Sequence, residues 1–181
     1  MSSPGAYLSE RRIIKSKNNV DGSRYPKIII SLKNKVPDGI CRIIDVRWMI
    51  QFNYKNGVVD GMYQKFYDTH LVMDIPYLNG VKEGLAKQYY INSTGLRPLM
   101  AEINFKNGHI DGTFKTYYPN KNISRESFYI KSKRQWYKDY YDDGTVFKFP
   151  DFIKGKNYNT IEPSFDFYDD IGYIMKLYDF I

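Results

Sequence analysis

One stretch of this chain is written three times, and that repetition limits what the chain can fold into. Tyr54-Lys-Asn-Gly-Val-Val-Asp-Gly61-Met-Tyr-Gln-Lys-Phe-Tyr67 returns as Tyr77-Leu-Asn-Gly-Val-Lys-Glu-Gly84-Leu-Ala-Lys-Gln-Tyr-Tyr90 and as Phe105-Lys-Asn-Gly-His-Ile-Asp-Gly112-Thr-Phe-Lys-Thr-Tyr-Tyr118, fourteen positions aligned without a gap. A weaker copy, Leu32 to Ile44, comes before them with Lys35 in the place of the turn glycine. A degenerate copy, Tyr129 to Tyr141, comes after them, one residue short and without either glycine. Gly39, Gly61, Gly84 and Gly112 are spaced by 22, 23 and 28 residues, the longest step reflecting extra residues between Tyr90 and Ala101. A period of this size marks an array in which each unit leans on its neighbours.

Each unit reads as a β-hairpin. An alternating run ends in an aromatic, an Asn-Gly turn follows, and a second run starts at the next Gly and alternates to a Phe-Tyr or Tyr-Tyr pair. Asn-Gly supplies the positive φ that a tight hairpin turn requires. The second Gly leaves room for an aromatic of a neighbouring strand to sit across the backbone. A lone hairpin is marginal in water, so the units must stack to bury their aromatic rows.

Aromatics make up 17% of residues, led by 18 Tyr and 11 Phe, which suits large rings on pleated surfaces and excludes a disordered chain. The expected fold is therefore all-β: an elongated, twisted antiparallel sheet of five stacked hairpins over residues 28–146. Residues 1–27 are an N-terminal arm or cap, and residues 147–181 a C-terminal cap or docking tail. At 181 residues the chain has the length of one domain.

The pattern Tyr-x-Asn-Gly-x-x-x-Gly, followed by paired aromatics, resembles the MORN repeat family over about two thirds of the chain. It departs from that family at Lys35 and across Ser132 to Gln135, so the first and last units are expected to be distorted or to serve as caps. The resemblance implies a scaffold or adaptor. MORN proteins include some reported near membranes and phosphoinositides, some with coiled-coil partners or as homodimers, and bacterial relatives described as antitoxins.

The chemistry-bearing residues give little sign of catalysis. Asp38, Asp60, Glu83 and Asp111 occupy one repeat slot just before the Gly, which marks them as turn chemistry and not as a carboxylate pair. His70 and His109 sit in different repeats without metal-ligand spacing and read as solvated residues. Cys41, the one cysteine, lies among Ile40, Ile43 and Ile44 and reads as a buried structural thiol, which excludes an internal disulfide. No phosphate loop, nucleophile elbow or nucleotide fingerprint is present, so the expectation is a non-enzyme without cofactor or metal.

In an array the shared positions hold the fold, and departures from the pattern are the better place to seek binding. Lys131, Lys133, Arg134, Gln135, Trp136, Tyr137 and Lys138 interleave cations with aromatics. Such a mixture grips phosphates while stacking a base, or anchors a protein through Trp and Arg, or is simply a solvated strand edge whose Trp faces the sheet. Asn92 to Met100, with Arg97, lengthens one connection and is either a contact loop or a tolerated insertion. The tail from Phe165 through Tyr173 and Leu177 to Ile181 mixes acids with large apolar side chains, as a cap or as a segment that docks on a protein.

Net charge is +7, with residues 1–47 near +6 and residues 151–181 near −3. This polarity suits head-to-tail association or a basic end facing nucleic acid or an acidic partner. Arg11-Arg12 and Lys15 to Lys17 alternatively form a disordered basic arm. There is no secretory signal or membrane-length apolar run, so a soluble, cytoplasmic protein is expected. The abundance of Lys, Asn, Ile and Tyr is what an AT-rich genome imposes, as in giant DNA viruses, some intracellular bacteria and some protists. The leading expectation is an adaptor binding protein partners, in host cytoplasm if viral. The alternatives are a nucleic-acid or acidic-lipid binder, whose affinity collapses with salt, and an antitoxin-like neutraliser of a partner enzyme.

Overall fold

A computed structural model describes residues 27–91 and 97–147 in full and residues 9–14 in backbone only. The chain divides into two units, Met1–Phe147 and Lys148–Ile181. The second unit, and with it the expected C-terminal cap or docking tail, lies outside the described residues. Among the described residues no helix is long and apolar enough to cross a membrane.

The described residues of the first unit form a single antiparallel sheet. Its strands are β1 (Ser9–Ile14), β2 (Lys27–Lys33), β3 (Val36–Ile44), β4 (Trp48–Lys55), β5 (Val58–Val59), β6 (Gly61–Tyr67), β7 (His70–Leu78), β8 (Val81–Lys82), β9 (Gly84–Tyr89), β10 (Leu99–Lys106), β11 (His109–Tyr117), β12 (Ile123–Ile130) and β13 (Lys133–Asp139). Each long strand pairs with the next in chain order, while the two-residue strands β5 and β8 pair with β4 and β7. The sheet is thus the expected stack of hairpins with local connections. Residues 9–14 of the N-terminal arm add a strand that the repeat pattern does not announce, with Arg11 opposite Ser31 and Arg12 opposite Ile30.

The hairpin turns share one backbone geometry. Asn56 and Gly57 have φ of 51° and 84°, and Asn79-Gly80 and Asn107-Gly108 repeat it closely. Both central residues are left-handed, as the turn that matches the strand twist demands. Asn34-Lys35 (52° and 66°) and Lys131-Ser132 (47° and 63°) adopt it too, so neither end copy is distorted at its turn for want of glycine.

Each return strand then carries a bulge, where the Asp-Gly or Glu-Gly dipeptide sits. Between Ile103 and Phe105 β10 advances two residues while β11 advances four, from Ile110 to Phe114. In the two central hairpins the second strand therefore starts three residues before the glycine, as β5 and β8, and resumes after the bulge. Gly39, Gly61, Gly84 and Gly112 lie in these bulges with φ between 97° and 105°, a region that a Cβ makes costly. In register, Gly39 faces Tyr54, Gly61 faces Tyr77, Gly84 faces Phe105 and Gly112 faces Tyr129, and all four aromatics are buried. The last hairpin has a one-residue bulge, Gln135, which accounts for its missing residue and missing glycine.

The acids of the repeat slot join one hairpin to the next. Asp38 accepts from the backbone N–H of Asn56 at 3.2 Å, Asp60 from Asn79 at 3.0 Å, Glu83 from Asn107 at 2.6 Å and Asp111 from Lys131 at 3.1 Å. Beside each of these bonds a backbone bond runs the same way, as in Gly57 N to Pro37 O at 2.8 Å and Gly80 N to Val59 O at 2.7 Å. The bulge of one hairpin thus clamps the turn of its successor, satisfying N–H groups that a tight turn would leave to water.

Alternation along the strands sorts the two faces. On one, Ile50, Phe52 and Tyr54 of β4, Met73, Ile75 and Tyr77 of β7, and Ala101, Ile103 and Phe105 of β10 are buried. Cys41 lies opposite Phe52, whose ring stacks on Tyr63 at 6.1 Å. The other face carries polar side chains flanked by half-exposed apolar ones.

Candidate binding surface on the last two strands

β12 and β13 set out the cation-aromatic segment. Lys131 is a turn residue held through its backbone by Asp111, with its side chain exposed. Beyond it Lys133, Gln135, Trp136, Tyr137 and Lys138 are exposed and Arg134 is half-buried. Trp136 pairs with Phe128 and Lys138 with Glu126, whereas Tyr137 pairs with Ser127 and Asp139 with Arg125, so alternate side chains leave by opposite faces.

Aromatic contacts fix these side chains. The Trp136 ring stacks on Phe128, with centroids 6.2 Å apart and planes 10° apart. Trp136 nevertheless remains 47% exposed. Tyr137 carries two guanidiniums, Arg125 at 5.1 Å and Arg134 at 4.8 Å from its ring centroid. Lys138 Nζ lies 5.2 Å from the centre of Tyr140. Such contacts orient a cation at small cost and leave most of its charge outward.

Arg125 anchors the group from beneath. Its Nε donates to Asp139 Oδ1 at 2.5 Å and its Nη2 to Asp139 Oδ2 at 2.9 Å. That hydrogen bond, ahead of the Asp139 charge, pushes Arg125 above the usual arginine range despite partial burial. Arg125 Nη1 is buried without a hydrogen-bond partner.

Other sequence candidates fall elsewhere. Arg97 acts on Asp68, at the β6–β7 turn, whose carboxyl is held low by the Arg47 hydrogen bond first and by the Arg47 and Arg97 charges after it. Residues 92–96, Phe165, Tyr173 and Leu177 lie outside the described residues. His70 is exposed, with Nδ1 2.7 Å from Asp68 O, and His109 is exposed near Ser132 Oγ at 3.5 Å. Cys41 is fully buried and its thiol is pushed up to about 12 by that burial, which makes it inert as a nucleophile at neutral pH.

Sequence reasoning missed Phe128, Arg125, Asp139 and Tyr140. One signal was present. Arg125 stands where Ala101 and Met73 stand in earlier hairpins, and a cation in a slot that is otherwise apolar marks a changed surface. Compared with known proteins, the chain matches no family model and no curated protein.

Proposed function

We propose that this chain is a non-catalytic adaptor that binds a protein partner along β13, with Trp136 as the anchor on one face and Arg134 and Tyr137 on the other. The observation that carries this reading is the half-exposed Trp136, held by Phe128 on a firm strand pair, with Lys138 oriented on the same face and Arg134 oriented by Tyr137 on the other. A pre-set Trp with neighbouring Arg is the residue set that dominates protein–protein affinity. The repeat acids support the same reading from the other side, because each is used in joining hairpins and none is grouped for acid–base work.

The cations already seated on Tyr137 weigh against nucleic acid as the primary ligand. A base needs an open ring to stack on, and Tyr137 already carries Arg125 and Arg134. Likeness of the repeat to MORN scaffolds supports an adaptor. The buried lone thiol suits a reducing cytoplasm, and the Lys-, Asn- and Ile-rich composition suits a viral gene product acting in host cytoplasm.

The test is capture of the tagged chain from its native cell, with and without nuclease, across a salt series. Discrete proteins retained after nuclease and at high salt, and lost with Trp136→Ala, are the expected result. Loss of everything on nuclease or at moderate salt overturns it in favour of a nucleic-acid site.

A further inference from the structure

From β3 to β13 the face opposite the buried rows carries one polar side chain per long strand in an unbroken line, whereas β2 places Ile29 opposite Arg42. In register, Arg42 faces Gln51, Gln51 faces Gln64, Gln64 faces Asp74 and Asp74 faces Lys87. The line continues from Lys87 to Glu102, Lys115, Glu126 and Lys138. From β7 to β13 the sign changes at every step: Asp74, Lys87, Glu102, Lys115, Glu126, Lys138.

Within one chain this alternation gives cross-strand attraction, as in the 3.0 Å contact between Lys115 Nζ and Glu126 Oε1. It also makes the face complementary to itself. An alternating row of even length, turned about an axis parallel to the strands, meets its own copy with every sign opposed. Asp74 then meets Lys138 of the second copy, Lys87 meets Glu126, and Glu102 meets Lys115.

The flanking rows obey the same symmetry. Two residues along each strand toward the hairpin turns stand Pro76, Leu85, Asn104, Thr113, Phe128 and Trp136. Reversal sets Pro76 against Trp136, Leu85 against Phe128 and Asn104 against Thr113. Leu85 and Trp136 are 40% and 47% exposed. On the far side of the charges Tyr89 pairs with Leu99 and Tyr117 with Ile123, which adds apolar area.

We propose that a second copy of this chain docks on this face, two-fold related, with the charge rows antiparallel. A slip by one strand places like charges together, so the row fixes register as well as affinity. The matched area spans about 24 Å across the strands and about 14 Å along them. That is small beside the ~800 Å² per partner of a standard interface, so the dimer is weak and sensitive to salt. The inference does not rest on the adaptor reading, although both use Trp136 so that a second copy and a partner compete for this face, and it is measured on the purified chain alone.

The experiment is sedimentation velocity of the full chain from about 1 to about 200 µM at low and high salt, covering the weak range expected of so small an interface. Concentration-dependent dimer that dissolves in high salt is expected. Lys87→Glu and Glu126→Lys should each be monomeric alone, because each opposes like charges twice. Mixed together, they should form a heterodimer, because every contact is then opposite in sign. Leu85→Asn, a change on a half-exposed side chain, should also give monomers, and it keeps the test open if either charge variant folds poorly. A wild type that stays monomeric throughout, or a dimer that all three variants leave intact, overturns the proposal.

Discussion

Replacing Asp60 with Ala removes one clamp between consecutive hairpins and leaves the buried face untouched. Asp60 Oδ2 accepts the backbone N–H of Asn79 at 3.0 Å across the gap between one bulge and the next turn. A hydrogen bond to a charged group contributes ~1.5–3 kcal/mol, and water reaching the exposed turn recovers part of it, leaving about 1 kcal/mol. For a sheet of this size that lowers the melting temperature by about 3–5 °C. The signature is local. Amide exchange at Asn79 should quicken by about fivefold in Asp60→Ala, while Asn107, clamped by Glu83, keeps its rate. Asp60→Asn, which retains an oxygen acceptor, should fall between the two. The double variant Asp60→Ala with Asp111→Ala should lose about 2 kcal/mol, since the two clamps share no partner. Unchanged exchange at Asn79 in Asp60→Ala would refute the clamp as a stabilising contact.

Three further predictions use the same fold. Gly84→Ala should cost about 2–3 kcal/mol in urea denaturation, because a φ of 105° strains any side chain and the new Cβ meets Pro76 Cγ at 3.3 Å. Gly80→Asn should cost under about 1 kcal/mol, since its φ of 84° lies in a turn where Asn34-Lys35 and Lys131-Ser132 manage without glycine. The Cys41 thiol, pushed up to about 12 by burial, stays protonated in the folded chain while the unfolded thiol ionises from about 8.5. Folding therefore gains from this group below the unfolded value and loses up to about 1.4 kcal/mol per pH unit as pH rises toward 12. Cys41→Ala should flatten that slope in alkaline urea melts, and an unchanged slope would contradict it.

The hairpins were legible because the repeat shows its turns and glycines at fixed offsets, and periodicity of this kind survives without knowledge of packing. Asp38, Asp60, Glu83 and Asp111 could be read as turn residues. Their partners could not, because each bond reaches a turn 18 to 24 residues onward that only the bulge brings near. The bulge itself was hidden, since a shift in register leaves no mark on a single strand. The end turns, read as distorted or capping, share the common geometry because glycine favours the left-handed turn but is not required when neighbouring strands hold it, as at Asn34-Lys35. At the candidate surface Trp136 and Arg134 stood out as departures, whereas Arg125 and Asp139 became visible only when register paired them.

The central claim is that the strip on β12 and β13 binds while the repeat acids only build. It is tested most directly by quantitative capture from the native cell with wild type, Trp136→Ala, Arg134→Ala and Asp60→Asn in parallel, each confirmed folded by circular dichroism. The account predicts that Trp136→Ala and Arg134→Ala lose the partner at least tenfold, the scale set by truncating an interface anchor, while Asp60→Asn retains it. Equal recovery with all four, or loss confined to Asp60→Asn, would contradict it.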